Sequence, residues 1–153
     1  MHIESLETLL PMLRATVHSA RDEHCEALAL YRTHLEAAQR QGLGRMSAHF
    51  LADMAWCVWC GGEHAEALQI AQRAAQAIDA CMHPDDRATA HQRLGQLHTA
   101  ASQPSAAAPH FEAARWAWNA HRALQVQALN LLSSLPAPVR MAPARQAQAR
   151  PQP

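Results

Sequence analysis

The sequence predicts an all-helical fold of antiparallel helical hairpins, and three observations carry that expectation. Alanine is abundant, while aromatic residues make up 5% of the 153 residues. That balance suits closely packed helices better than a β-sandwich, which wants β-branched and aromatic side chains. A block of sequence then recurs: Glu23-His24-Cys25-Glu26-Ala27-Leu28 returns 40 residues later as Glu63-His64-Ala65-Glu66-Ala67-Leu68, the mark of a repeat architecture. Finally, apolar residues follow helical spacing, through Ala27, Leu28, Tyr31, Leu35 and Ala38, and again through Leu51, Met54, Ala55 and Val58.

Each unit reads as two helices. The first helices are expected near residues 5–20, 46–60 and 85–101, and the second near 24–40, 64–81 and 105–119. A weaker third copy, Ser102-Gln103-Pro104-Ser105-Ala106-Ala107-Ala108, keeps the register. Ala27, Ala67 and Ala107 are then equivalent, as are Tyr31, Ala71 and Phe111, and Ala15, Ala55 and Gly95. Gly42 and Gly44 supply permissive backbone between units, and Gly61-Gly62 ends a helix. Pro84 suits a helix start, where its missing N–H costs little. Pro104 marks the last turn within a unit. Pro11 either kinks the first helix or moves its start.

Residues 121–135 carry one more helical pattern in Leu124, Ala128, Leu131, Leu132 and Leu135. A repeat array exposes an apolar face at its end, and this segment is expected to fold over it as a capping helix. After Pro136 the chain is Pro, Ala, Arg and Gln with almost no large apolar residue, so 136–153 is expected to be a disordered tail behind a 1–135 helical domain.

Charge and composition set limits on function. The 13 basic and 13 acidic residues balance, and every basic residue is Arg. Arg140, Arg145 and Arg150 lie in the tail, leaving the body about three charges negative by count. With no basic stripe to neutralise phosphates, no nucleic-acid partner is expected. The acidic start lacks the apolar core of a signal peptide, and no apolar stretch nears the roughly 20 residues of a membrane span. Four cysteines in a chain of this size fit reduced thiols, so a cytoplasmic protein with no membrane association is expected.

The third unit carries the residues of a family likeness. His91-x-x-Leu94-Gly95-x-x-His98, followed by Ala107-x-x-x-Phe111-x-x-Ala114, resembles the tetratricopeptide repeat. The second unit fits through Leu51, Met54, Ala55, Val58, Gly62, Ala67, Ala71 and Ala74, and the first through Ala15, Ala27 and Tyr31. Departures are plain. His91 and His98 stand where the family usually has Trp and Tyr. Pro11 and Arg14 take places of large apolar residues. Asp79 and Asn119 stand near the place of the closing proline. The period is 40 rather than roughly 34. The resemblance implies three hairpin units plus the cap in a right-handed superhelix, with first helices lining a concave groove that holds a peptide or helix of a partner. Bacterial secretion chaperones and sensory or scaffolding modules are of this kind.

On that basis the expected function is a protein–protein interaction module, an adaptor, scaffold or chaperone, with no catalysis, cofactor or metal. The groove stripe of the second unit's first helix is His49, Ala52, Asp53, Trp56, Trp59 and Cys60. Trp56 and Trp59 are neighbours on one helix face, and Trp is enriched in binding hot spots. The plainer expectation for both is core filling between units. His49, Gln92 and Gln96 are the expected polar contacts, while neither Trp116 nor Trp118 receives a role. A first alternative is a regulatory or sensory domain of a bacterial signalling system that binds a small ligand or peptide. A second is a zinc-binding helical protein: Cys57-x-x-Cys60-x-x-x-His64, with Cys81 or His83, has suitable donors, although buried free cysteine is commonly structural. Eleven histidines are spread without clustering. Glu23 and Glu26, and again Glu63 and Glu66, sit where negative charge offsets a helix dipole, which explains them without catalysis.

Overall fold

The computed structural model describes residues 4–41, 43–81 and 83–134. Among them the chain forms α1 (Glu4–Ala20), α2 (His24–Arg40), α3 (Ser47–Cys60), α4 (His64–Ala77), α5 (Pro84–Ala100) and α6 (Pro104–Ser134), with short 3₁₀ turns at Leu43–Met46 and Ile78–Ala80 and no strand. No helix among the described residues is long and apolar enough to cross a membrane. Each helix packs on its successor as a pair: α1 with α2, α3 with α4, and α5 with α6. The pairs meet mainly through α3, which packs on both α2 and α5.

One turn, built three times, joins the helices of each pair. Asp22, Gly62 and Ser102 stand 40 residues apart in the left-handed conformation, with φ of 60°, 89° and 57°. After each, a backbone N–H reaches back to a helical carbonyl: Glu23 to His18 at 2.9 Å, Glu63 to Val58 at 3.2 Å and Gln103 to His98 at 2.8 Å. The turn residues donate in the same way to Ser19, Trp59 and Thr99, at 3.1, 3.0 and 3.0 Å. Both bonds satisfy carbonyls that a helix end leaves without partners. Two copies add a side-chain bond across the turn, His18 Nδ1 to Glu23 Oε2 at 2.6 Å and His98 Nδ1 to Gln103 Oε1 at 2.8 Å.

The small residues in register are buried. Ala15, Ala27, Ala55 and Ala67 are wholly inaccessible, and Ala107 is nearly so. Tyr31, Phe50, Met12, Leu94, Leu97 and Val58 are the largest side chains sealed in the core. At Gly95 the pair α5–α6 closes so tightly that a Cβ would lie 2.8 Å from the Phe111 ring.

Two expectations change, and one alternative closes. The fourth helix stops at Ala77 and passes into the 3₁₀ turn rather than running to residue 81. Pro11 lies inside α1, so it does not move the helix start. The largest correction concerns the cap. The expected helices 105–119 and 121–135 are one helix of 31 residues, and the second part does not fold back. Asn119-Ala120-His121-Arg122-Ala123 contains neither Gly nor Pro, and a run of helix formers propagates where nothing breaks it. The expected disordered tail, 136–153, and Leu135 lie outside the described residues.

Candidate functional site

Asp53 is the one acid of α3, and the fold buries it to 2% exposure. A buried carboxylate is costly unless paired and hydrogen-bonded, and three helices supply its partners. Ser19 of α1 donates to Oδ1 at 2.9 Å, and the Tyr31 hydroxyl of α2 donates to Oδ2 at 2.7 Å. Arg93 of α5 places Nε 2.7 Å from Oδ1. Burial, and next the Asp53 carboxylate, hold the Tyr31 phenol protonated well above its ordinary range.

Arg93 is the hub of this cluster. Beyond Asp53 it donates to Ser19 Oγ at 3.2 Å and to Gln96 Oε1 at 3.1 Å. Its guanidinium carbon stands 6.0 Å from the Trp56 ring centroid, within cation–π range. A second polar pair binds α3 to α5 with reversed polarity: His49 Nδ1 lies 3.2 Å from Asp86 Oδ1. The His49 ring also stacks on Phe50 at 5.2 Å.

The five expected partner-binding residues thus divide. Trp56 and Gln96 meet around Arg93. His49 is engaged by Asp86, and Trp59 stacks on His64 at the start of α4, with ring centroids 4.1 Å apart. Gln92, one turn from Gln96 on α5, lines an open cleft of about 510 Å³ with Phe111, Arg115, Trp118, Asn119 and Arg122. Both tryptophans are half-buried, which leaves each an accessible edge while its body packs on the core. Arg93, Ser19 and Tyr31 were not among the expected site residues. The signal for them is Asp53 itself, the one acid of a mostly apolar helix; its place on the expected groove stripe is corrected by the fold, which buries Ala52 and Asp53.

The cysteine pattern does not converge with His64. Cys57 and Cys60 line a separate cleft with Cys25, Glu23 and His24, while His64 is held by Trp59. Burial pushes the Cys57 thiol up to about 11 and raises that of Cys60 as well, so both are protonated at neutral pH. Among the described residues no group of three His, Cys, Asp or Glu side chains is placed to hold a metal ion.

Three histidines that looked scattered in the sequence do meet. His110 of α6 lies with Nδ1 2.9 Å from His91 Nδ1, and its ring stacks on His98 at 5.6 Å. Burial, then His91 and His98, lower the His110 pKa to about 4. Beside this trio an open cleft of about 400 Å³ is lined by Pro84, Arg87, His91, Ala113, Trp116 and Ala117.

No family model, curated protein or solved structure matches this chain.

Proposed function

We propose that this chain is a helical-repeat interaction module that holds a peptide or helix of a partner protein against the face shared by α3 and α5. The observation that carries the proposal is the Trp56–Arg93–Gln96 cluster. Its base is fixed by the buried Asp53 network, and its outer atoms stay accessible. A partner therefore meets side chains already ordered, which reduces the entropy cost of binding. Half-buried Trp and Arg are also the residue types that dominate binding hot spots. Gln92 extends the face toward Arg115, Trp118 and Arg122, and no acid lines that cleft. A partner segment with aromatic or apolar anchors and a carboxylate suits it. The repeat of one turn at a 40-residue step supports a tetratricopeptide-like array whose first helices line a concave groove.

The test is photo-crosslinking. Peptides are selected from a display library on the full chain, and a photoreactive residue is then placed at Gln92 or Gln96, or at exposed Gln69 or Gln76 of α4. Crosslinks from α5 and none from α4 are expected. Crosslinks from α4 alone would move the binding face and overturn the proposal.

A second function is favoured by one specific feature, the cleft beside Trp116. Its floor of Ala113 and Ala117, with Arg87 and His91 on the opposite wall, fits a small flat anion. The chain would then be a ligand-responsive regulatory module. A small carboxylate that quenches Trp116 fluorescence, and fails to do so in Arg87→Ala, would favour that function over peptide binding.

A further inference from the structure

His91 belongs both to the histidine trio and to the open cleft beside Trp116. Its Nδ1 lies 2.9 Å from Nδ1 of His110. Two imidazoles share such a contact only when one nitrogen carries the hydrogen and the other accepts it. The pair therefore has room for one added proton and not for two, because two Nδ1–H groups would face each other. His91 Nε2 makes no hydrogen bond among the described residues and is not sealed in the core. The groups facing this ring decide what the added proton needs. Arg87 precedes it by one turn of α5, and Asp79 approaches from the 3₁₀ turn. His110 comes from α6, with His98 stacked on it and itself bonded to Gln103. Burial, and then Arg87, hold His91 below its ordinary value, while Asp79 pulls the other way. Arg87 makes no ion pair among the described residues. An anion seated beside Arg87 and His91 would offset the repulsion and supply the countercharge.

The cleft restricts the shape of that anion. Its volume of about 400 Å³ lies within the range of small-ligand sites. Ala113, Ala117 and Ala120 line it from α6 beside Trp116. Their spacing of four and three residues sets them on one helix face, with nothing beyond Cβ. Such a floor suits a flat ring. Arg87 and His91, four residues apart on α5, are placed to meet one charged group. We propose, building on the ligand-responsive function of this cleft, that it takes up a small aromatic carboxylate together with one proton, which His91 holds between the ligand and His110. The added proton sits on His91 Nε2, while His91 Nδ1–H is donated to His110. The carboxylate accepts from Nε2–H and from the Arg87 guanidinium, a charge-assisted pairing. No bond of the ligand forms or breaks. Binding then answers to ligand and acidity together. Affinity rises as pH falls, because the proton taken up with the ligand costs less at lower pH.

The experiment titrates benzoate into the full chain by calorimetry. Runs in two buffers of different ionisation enthalpy should show net proton uptake approaching one per benzoate near neutral pH. Affinity should tighten by about fivefold from pH 7.5 to 6.5. His91→Gln should lose the uptake and the pH dependence, and keep weaker binding through Arg87. His110→Gln keeps an acceptor for His91 Nδ1–H and should retain both. Benzamide, neutral and of the same shape, should bind about tenfold more weakly or worse. Benzoate binding without proton uptake, an uptake that persists in His91→Gln, or equal affinity for benzamide would each overturn the proposal and leave a ligand site in the cleft. A folded native chain that binds no benzoate would overturn the proposal and the ligand-responsive function with it.

Discussion

Asp53 and Arg93 form an ion pair of 2.7 Å between α3 and α5, and Asp53 is 2% exposed. With Ser19 and Tyr31 also bound to Asp53, one carboxylate ties all three helix pairs together. Removing Arg93 strands that charge. Arg93→Ala should lower the unfolding free energy by about 3 kcal/mol, read from urea denaturation. Replacing the cluster with apolar residues, Tyr31→Phe/Asp53→Leu/Arg93→Met, should recover much of the loss, because the cost lies in the unpaired charge and Tyr31→Phe removes the hydroxyl that would lose its acceptor. A loss under about 1 kcal/mol in the single variant would mean that water reaches Asp53.

Gly95 and Phe111 divide one space between them. In the second unit the equivalent places hold Ala55 and Ala71; in the third, the smaller residue on α5 admits the larger on α6. Gly95→Ala gains helix propensity of about 1 kcal/mol, yet its Cβ would sit 2.8–2.9 Å from the ring. Overpacking of this kind costs about 1–3 kcal/mol. A net loss of stability is expected, and Gly95→Ala/Phe111→Ala should recover it by restoring the second unit's pair. Calorimetric melting of the two variants compares them directly.

Left-handed backbone at the three turns gives opposite expectations for opposite substitutions. Ser102→Gly relieves a side chain held at φ 57° and should raise stability by about 0.5–1 kcal/mol. Gly62→Ala imposes the same strain at φ 89° and should lower it by about 1 kcal/mol. Equal effects from both would show that the turns are not held in this conformation.

Acid should loosen the α5–α6 pair. His110 titrates near 4 in the folded chain, against 6.5 when unperturbed, because of burial and then His91 and His98. Above about 6.5 the ring is neutral in both states. Below that value the unfolded chain binds a proton that the folded chain refuses, so stability falls as pH drops from 6.5 toward 4. The ring is only half-buried, and solvent screening limits the effect to about 1 kcal/mol. Urea midpoints measured from pH 7 to 4.5 should fall, and His110→Gln should flatten the slope.

Much of the helix pattern was legible because local chemistry set it. Periodic Ala and Leu fixed the faces, and Gly61-Gly62 and Pro104 fixed two turns. The turn at Asp22 carries no glycine, so its left-handed geometry left no mark in the sequence except the register with Gly62. The uninterrupted α6 is not legible, because an apolar stripe states which face is buried and not where a partner helix ends. At the α3–α5 contact, Trp56 and Gln96 are legible through helix periodicity. Their organiser, Arg93, is not, since only the approach of α5 to α3 reveals that Asp53 needs it. The His91–His98–His110 trio was hidden likewise, because two of its members lie on α5 and the third on α6.

In the proposed function, Trp56 anchors a partner segment on the α3–α5 face. The most direct measurement is calorimetric affinity for one display-selected peptide, compared between the native chain, Trp56→Ala and Trp116→Ala, with helicity checked in each. Trp116 is the control, being 69% exposed and carried on α6. Loss of a hot-spot tryptophan costs at least about 2 kcal/mol, so Trp56→Ala should weaken binding by tenfold or more, on the order of 1.4 kcal/mol per factor of ten, while Trp116→Ala leaves it within about twofold. Unchanged affinity in a folded Trp56→Ala, with binding lost in Trp116→Ala, would place the binding face on α6 and not on α3 and α5.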